Sequence, residues 1–410
     1  MASTNEERVI ASVTETDCCI VGGGPAGVVL AYLLARKGIR VTLLELHMDF
    51  DRDFRGDTAH PSTLEIMDQL GLAERLHELR HTKIRQFNLQ VGDDEPLTID
   101  LSFLKTKFPY IMMVPQVHFL DFITEEAKKF PSFSLVLGAN VQELIRVDGA
   151  VRGVLYRGHE DNEWHEVRAQ LTVGADGRSS RVRRLAETEM VKTSPPMDVL
   201  WFRLPRRAGD PEGLAGRIRN GHILVMLDRL EEWQIAFVIL KGTYHQLREA
   251  GIEQLKRLVV ETDPTLQDRI DHLEDWKQVA ILSVESSRVK QWYQPGLLLI
   301  GDAAHVMSPV GGVGINYAIQ DAVVAANVLT APLKAGRVQT SDLKRVQHLR
   351  TLPTRFIQAF QAVVQKRILG NALTNKQFKL PFFMRLPLLR RIPARLIAFG
   401  LWRVRVEDQK

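Results

Sequence analysis

The stretch from Asp17 to Gly27, Asp-Cys-Cys-Ile-Val-Gly-Gly-Gly-Pro-Ala-Gly, constrains this chain more than any other. An apolar run from Cys18 to Val21 stops at three glycines, and a helical pattern begins just after Pro25. Strand, tight turn and helix in that order put Gly22, Gly24 and Gly27 in the three places of a G-x-G-x-x-G dinucleotide fingerprint. Gly22 lets the chain turn sharply, Gly24 lets a diphosphate approach the backbone, and Gly27 lets helix and strand pack closely. The diphosphate would rest on the free N–H groups of the helix start, where the dipole favours negative charge. The helix, Ala26 to Lys37, closes at Gly38. A second strand, Arg40 to Leu44, leads to Glu45, at the distance expected of an acid that binds a ribose.

Composition narrows the class further. No apolar run reaches the eighteen or so residues of a membrane span. The polar start, Met1 to Thr16, reads as a flexible leader rather than a signal peptide. Cys18 and Cys19 are neighbours on one strand and point to opposite faces, which fits core packing in a reducing cytoplasm. A net charge of +5 does not by itself imply nucleic acid. The basic residues are unevenly placed: from Lys376 to Lys410 they far outnumber acids and alternate with Phe, Leu, Ile and Trp.

Along the chain, Arg55 to Leu72 reads as a loop and a helix, with Ser62 and Glu65 spaced as a capping box. A second amphipathic helix is expected over Gln116–Phe130. Strands at Ser134–Leu137, Val141–Val147, Val151–Arg157 and Glu166–Val173 lead into Val-Gly-Ala-Asp-Gly. From Met197 to Val289 the character changes to aromatic and β-branched strands, with helices over Ile252–Glu261 and Pro264–Ile270. The first pattern resumes at Gly296–Ile300, and helices follow at Asn316–Leu329 and from Ser341 to about Ile368. The expected fold class is α/β. A Rossmann-like domain (17–195 and 290–335) follows the leader (1–16), a sheet-plus-helix substrate domain (196–289) is inserted in it, and a helical C-terminal region (336–410) closes the chain.

Two further blocks sharpen the dinucleotide reading: VGADGRSSRVRRL at 173–185 and LLLIGDAAHVMSPVGGVGINYAIQDA at 297–322. With the fingerprint they resemble the FAD-dependent aromatic hydroxylases, the single-component flavoprotein monooxygenases typified by p-hydroxybenzoate hydroxylase, over residues 17–329. The resemblance implies FAD, with Gly22, Gly24 and Gly27 at its pyrophosphate, Glu45 at the adenosine ribose and Arg55 at the diphosphate. It places Gln116 and Asp302 at the ribityl chain, and Asp176 and Gly177 where they serve both FAD and NAD(P)H. Pro309 would lie beside the isoalloxazine, with the N–H groups of Gly314, Ile315 and Asn316 at its N1–C2=O edge. Physics supports that last placement, because reduced flavin is negative near N1 and a helix N-terminus favours negative charge.

The resemblance also implies chemistry. NADPH or NADH, bound transiently because no second fingerprint exists, reduces FAD. Reduced flavin and O2 then give a C4a-hydroperoxide that hydroxylates or epoxidises an electron-rich aromatic or unsaturated hydrophobic molecule. The flavin carries the oxygen chemistry, so neither a metal nor a nucleophilic triad is required.

Some positions depart from the pattern or stay open. Val313 stands where many relatives have glutamine, and Tyr317-Ala318 replaces a small-residue continuation. His305 reads either as an acid–base residue or as an anchor of the flavin loop, and His60 as a loop hydrogen-bonding residue. Trp201, Arg203, Trp233 and Gln234 lie on strands whose inward face periodicity does not identify; Arg203 is a candidate for an anionic substrate group. The C-terminal run reads either as packing on the FAD domain or as a peripheral membrane element. A flavin-dependent reductase of isoprenoid double bonds is the alternative function. A halogenase is disfavoured because the Trp-x-Trp-x-Ile-Pro signature is missing. Substrate identity and oligomeric state are not read from these motifs.

Overall fold

In the computed structural model, which describes residues 9–51, 56–381 and 386–407, the apolar run before the glycines becomes the centre of a parallel sheet. Six of its eight strands lie in the order Tyr293–Gln294, Leu297–Leu299, Trp164–Gly174, Ile10–Val21, Val41–Leu44, Phe133–Val136, and the antiparallel strands Ala150–Gly158 and Ala139–Val147 extend from Trp164–Gly174. The four central pairings are parallel, and Tyr293–Gln294 runs antiparallel at one edge. Val21 pairs with both Gly174 and Leu44, and Gly174 with Leu299, so the turns after these strands emerge together. Ligands of open α/β sheets bind at that carboxyl edge. Helices Pro25–Arg36 and Gly314–Lys334 bury apolar residues in the same core as the strands, which explains why Cys18–Val21 and Leu297–Leu299 read as continuous hydrophobic runs. Cys18 and Cys19 are free and fully buried there, and burial pushes the Cys19 thiol up to about 12.

A second sheet runs Ala280–Leu282, Met197–Pro205, Glu232–Leu240, His222–Asp228, Leu214–Arg219, Gln86–Val91, Leu97–Asp100. Side chains alternate across a strand. Leu200, Phe202, Leu224 and Phe237 therefore share one face and pack with helix Ile252–Thr262, while Val199, Ile223 and Val238 share the other with Val310 of the flavin loop.

Several expectations are corrected. The leader is a strand from Ile10 onward, pairing with Trp164–Ala169, because Ile-Ala-Ser-Val-Thr-Glu-Thr is rich in β-branched residues. Gln86–Val91 and Leu97–Asp100, not recognised in the sequence, extend the second sheet. The helix expected over Pro264–Ile270 is instead two separate 3-10 turns, Pro264–Leu266 and Ile270–His272. The capping box does not form. Pro61 takes the first helical position and His60 becomes the N-cap, so Ser62 falls inside the helix with its hydroxyl unpartnered, and Glu65 bonds Thr106 and Arg403 instead. The long C-terminal helix, Thr340–Val364, passes into a π-turn over Gln365–Leu369. Among the described residues no helix is long and apolar enough to cross a membrane. We propose the expected domain division with residues 86–100 added to the substrate domain.

Candidate active site

The fingerprint turn is dictated by close approach. Gly22 has φ +108°, and a Cβ there would lie 2.5 Å from the Ala175 carbonyl oxygen. A Cβ on Gly27 would lie 1.9 Å from the Gly22 oxygen, so strand and helix meet only because both are glycine. Gly24 differs: nothing stands within 4 Å of where its Cβ would be. Helix Pro25–Arg36 has no side-chain cap at Gly24, and its ladder starts with Val28 N–H donating to Gly24 O at 3.0 Å. An open glycine beside an uncapped helix start fits a diphosphate. Glu45 is buried and fixed, accepting from Gly23 N at 2.8 Å and from His47 N at 3.0 Å.

The second block is held together by Asp176. Its carboxylate accepts from the Ser180 hydroxyl, from Arg181 N at 2.6 Å and from Val182 N at 3.0 Å, so it secures the start of helix Arg181–Leu185. Burial pushes its pKa up, against those hydrogen bonds. Gly177 turns the chain in the left-handed region, at φ +78°. Arg183, also buried, donates to the carbonyls of Asp302 (3.3 Å) and Ala303 (3.0 Å) and so joins the second block to the third.

In the third block, Asp302 lies in a 3-10 turn, Gly301–Ala303. His305 points inward. Its Nε2 is 2.6 Å from Asp321 Oδ2, its ring lies 5.0 Å from that of Trp292, and its buried Nδ1 has no partner. Arg350, fully buried, donates from Nε to Asp321 Oδ1 at 2.6 Å. This geometry holds the buried His305 ring against the helix that follows the loop. Sequence reasoning missed Arg350 and Asp321, for which no motif gives a signal. Pro309 caps the turn Val310–Gly312, where Gly311 and Gly312 have φ of 79° and 61°.

Helix Gly314–Lys334 then begins without a side-chain cap. Its ladder starts with Tyr317 N–H donating to Val313 O at 3.0 Å, which leaves the N–H groups of Gly314, Ile315 and Asn316 ahead of it. The buried Asn316 side chain accepts from His60 N at 2.8 Å and Thr63 Oγ1 at 2.7 Å, tying this helix to the segment after Gly56.

A cleft lined by Gly56, Asp57, Thr58, Gln116, Phe119 and Ile315 runs beside that helix start. Asp57 Oδ1 accepts from Gln116 N at 3.0 Å, and Oδ2 pairs at 2.5 Å with Arg229, in the turn after strand His222–Asp228. Burial raises the Asp57 pKa, and Arg229 opposes the shift. Arg55 lies outside the described residues.

On the second sheet, Trp233 belongs to the helix-covered face and donates from Nε1 to Asp210 Oδ2 at 3.0 Å. Trp201 and Gln234 belong to the other face, where Trp201 Nε1 and Gln234 Oε1 are buried without partners. Arg203 shares that face at its exposed end and lies 3.7 Å from Glu232. The C-terminal run packs inward in part: Ile397 O lies 2.8 Å from His60 Nδ1, and Arg403 donates to Glu65 at 2.9 Å.

A parallel sheet with glycine turns at its carboxyl edge, together with a second uncapped helix start beside a cleft, fits a flavin-binding oxidoreductase. The family described as FAD binding domain matches residues 15–352, and the chain belongs to it. It is 32% identical over 412 aligned positions to 6-methylpretetramide 4-monooxygenase of Streptomyces rimosus, covering 99% of this chain and 97% of the relative. It is 26% identical to para-nitrophenol 4-monooxygenase of Pseudomonas sp. (strain WBC-3), covering 77% and 78% of the two chains. In fold it matches p-nitrophenol 4-monooxygenase from Pseudomonas putida with a TM-score of 0.74 at 20% identity, over 94% of both chains. The protein is an FAD-dependent monooxygenase of the aromatic hydroxylase family, and these relatives favour oxygen insertion over the reductase alternative.

Proposed function

We propose that the substrate is a flat, electron-rich, largely apolar aromatic molecule carrying an oxygen-bearing edge, held between the flavin loop and the face of the second sheet that carries Trp201 and Gln234. The observation that carries this is the shared apolar cluster in which Trp201, Val225 and Ala236 lie with Val310. Relatives named for 6-methylpretetramide and para-nitrophenol support an aromatic substrate.

FAD supplies the activation of O2, with NADPH or NADH as transient electron donor. The chain's own residues bind and orient it. Gly22, Gly24, Gly27 and the helix start at Pro25 would take the diphosphate, Glu45 the ribose, and Gln116 and Asp302 the ribityl chain. The N–H groups of Gly314, Ile315 and Asn316 would face the edge that becomes negative on reduction. Asp176 and Gly177 act by shaping the turn beside Gly22, Pro309 by shaping the flavin loop, and His305 by positioning it.

The test is the visible spectrum of purified protein, followed by NAD(P)H and O2 consumption with phenols, quinols and polyenes. Bound FAD with substrate-stimulated, coupled O2 uptake is expected. Bound FAD with NAD(P)H oxidised and no oxygen inserted would restore the reductase reading, and absence of flavin would overturn both.

A further inference from the structure

Between Leu343 and Val406 the chain carries fourteen of its 54 Lys and Arg and none of its 49 Asp and Glu, so the remainder has an excess of nine acids. Helix Thr340–Val364 opens this basic region. Its inner face, with Val346, Arg350 and Ile357, is buried. Its outer face exposes Leu349 (42%), Leu352 (57%), Phe356 (39%) and Val363 (60%). With the exposed Ala359, these recur at alternating steps of three and four residues, so they form one continuous stripe about 21 Å long. The side chains flanking it, Arg345, His348, Arg355 and Arg367, are exposed and include no acid.

A monomer rarely leaves such an apolar stripe open without a partner. A second copy is a poor occupant, because a symmetric contact through this helix would set the basic flanks of both copies against each other. The occupant that suits both features is apolar beneath and negative at its surface. Anionic bilayers attract helices of this composition, with apolar side chains at the headgroup–acyl boundary and Arg among the headgroups. The sequence leaves the C-terminal run open between packing on the FAD domain and membrane contact, and Ala394, Ala398 and Phe399 of that run pack inward against Leu101 and Leu104. The inner face of helix Thr340–Val364 also reaches the active site. Gln361 Nε2 donates to the carbonyls of Ser308 (2.9 Å) and Val310 (2.8 Å) in the flavin loop.

We propose that the outer face of helix Thr340–Val364 docks the enzyme on an anionic lipid surface, through Leu349, Leu352, Phe356 and Val363 with their arginine flanks. Docking there sets the flavin loop close to the phase in which an apolar aromatic substrate partitions. The docking stands independently of which substrate is oxidised.

The experiment is co-sedimentation of the FAD-loaded protein with vesicles of phosphatidylglycerol and phosphatidylcholine, against phosphatidylcholine alone. The expected result is pelleting with the anionic vesicles only, weakening as salt is raised. The Leu352→Asp/Phe356→Asp double variant, with flavin absorbance and Tm retained, should lower the partition coefficient about tenfold or more, since two apolar anchors become charges facing an anionic surface. Wild-type protein that stays in the supernatant with anionic vesicles would overturn the proposal, as would pelleting that the double variant leaves unchanged. A solution dimer that the double variant converts to monomer would identify the stripe as a self-interface and overturn it equally. Loss of vesicle binding with normal coupled turnover would leave the monooxygenase reading intact.

Discussion

His305 Nε2 and Arg350 Nε each lie 2.6 Å from one oxygen of the same buried carboxylate, that of Asp321, which also accepts from Gly301 N at 3.0 Å. One side chain thus ties the start of the flavin loop to the helix that follows it and to the docking helix. Burial alone would raise the Asp321 pKa; His305 and Arg350 outweigh it and hold the carboxyl below its ordinary range. The folded value being the lower, this stabilisation is present above about pH 4 and is lost as pH falls further. Asp321→Asn leaves Arg350 charged, buried and unpaired, so it should cost on the order of 3–5 kcal/mol. Urea unfolding followed by flavin release measures this, and an unchanged midpoint would show the network to be dispensable.

Two glycines of the fingerprint should fail differently. Gly27→Ala forces a Cβ to within 1.9 Å of the Gly22 oxygen, so both Tm of the flavin-free protein and FAD retention should fall. Gly24→Ala meets no protein atom within 4 Å, and its φ of −77° suits alanine. That variant should keep its flavin-free Tm and lose FAD. If Gly24→Ala retains FAD as wild type does, the diphosphate lies elsewhere.

His60 is fully buried, and burial lowers its pKa to about 4. Below about pH 6.5 the unfolded chain gains a proton that the folded one refuses, so stability falls from pH 6.5 toward 4. At pH 5 the difference is about 2 kcal/mol. Replacing His60 by Gln should flatten this part of the Tm-against-pH curve relative to wild type. Parallel curves would place the titration on other groups.

Asp57, in the loop before Thr58–Ala59, pairs with Arg229, in the turn after strand His222–Asp228, and lies buried beside the cleft. Arg229→Met alone should destabilise the protein and weaken FAD binding, because it strands a buried carboxylate. Adding Asp57→Asn should restore part of that stability, on the order of 1–3 kcal/mol by a double-mutant cycle. Strict additivity of the two changes would mean that the pair is not coupled.

The parts legible in the sequence are those written into the backbone. Gly22 and Gly27 announce a turn because no other residue fits the approach they make, the runs Cys18–Val21 and Leu297–Ile300 announce strands by being apolar throughout, and the strand around Leu171 announces itself by alternation. The illegible parts depend on partners distant in the chain. Nothing near Arg350 says that Asp321 will meet it, and nothing near Asp57 points to Arg229. Ser62 and Glu65 carry the spacing of a capping box, yet Pro61 fixes the helix start two residues too early for it. Gln86–Val91 is short, and Gly92 and Pro96 disguise its hairpin as loop. The inward face of the second sheet could not be chosen from alternation alone, since both of its faces are covered.

That face now allows a test of substrate recognition. Trp201 pairs with Ala236 and Arg203 with Gln234 on adjacent strands, so Trp201 and Gln234 are diagonal neighbours on one surface. Gln234 is only 3% exposed, and neither its Oε1 nor Trp201 Nε1 has a partner. A buried polar atom left unpaired costs about 1–3 kcal/mol, a cost that a bound hydroxyl or carbonyl would relieve. Gln234→Leu removes an unsatisfied acceptor, so Tm should hold or rise. KM for a hydroxylated aromatic substrate should increase about tenfold or more, because a site built to hydrogen-bond an oxygen loses discrimination with its partner. Trp201→Phe keeps the ring and removes only the N–H, and should act in the same direction. Steady-state kinetics with a substrate and its deoxy analogue, alongside Tm, separates the roles. A Gln234→Leu enzyme that is less stable yet handles both compounds as wild type does would assign the pair to packing alone.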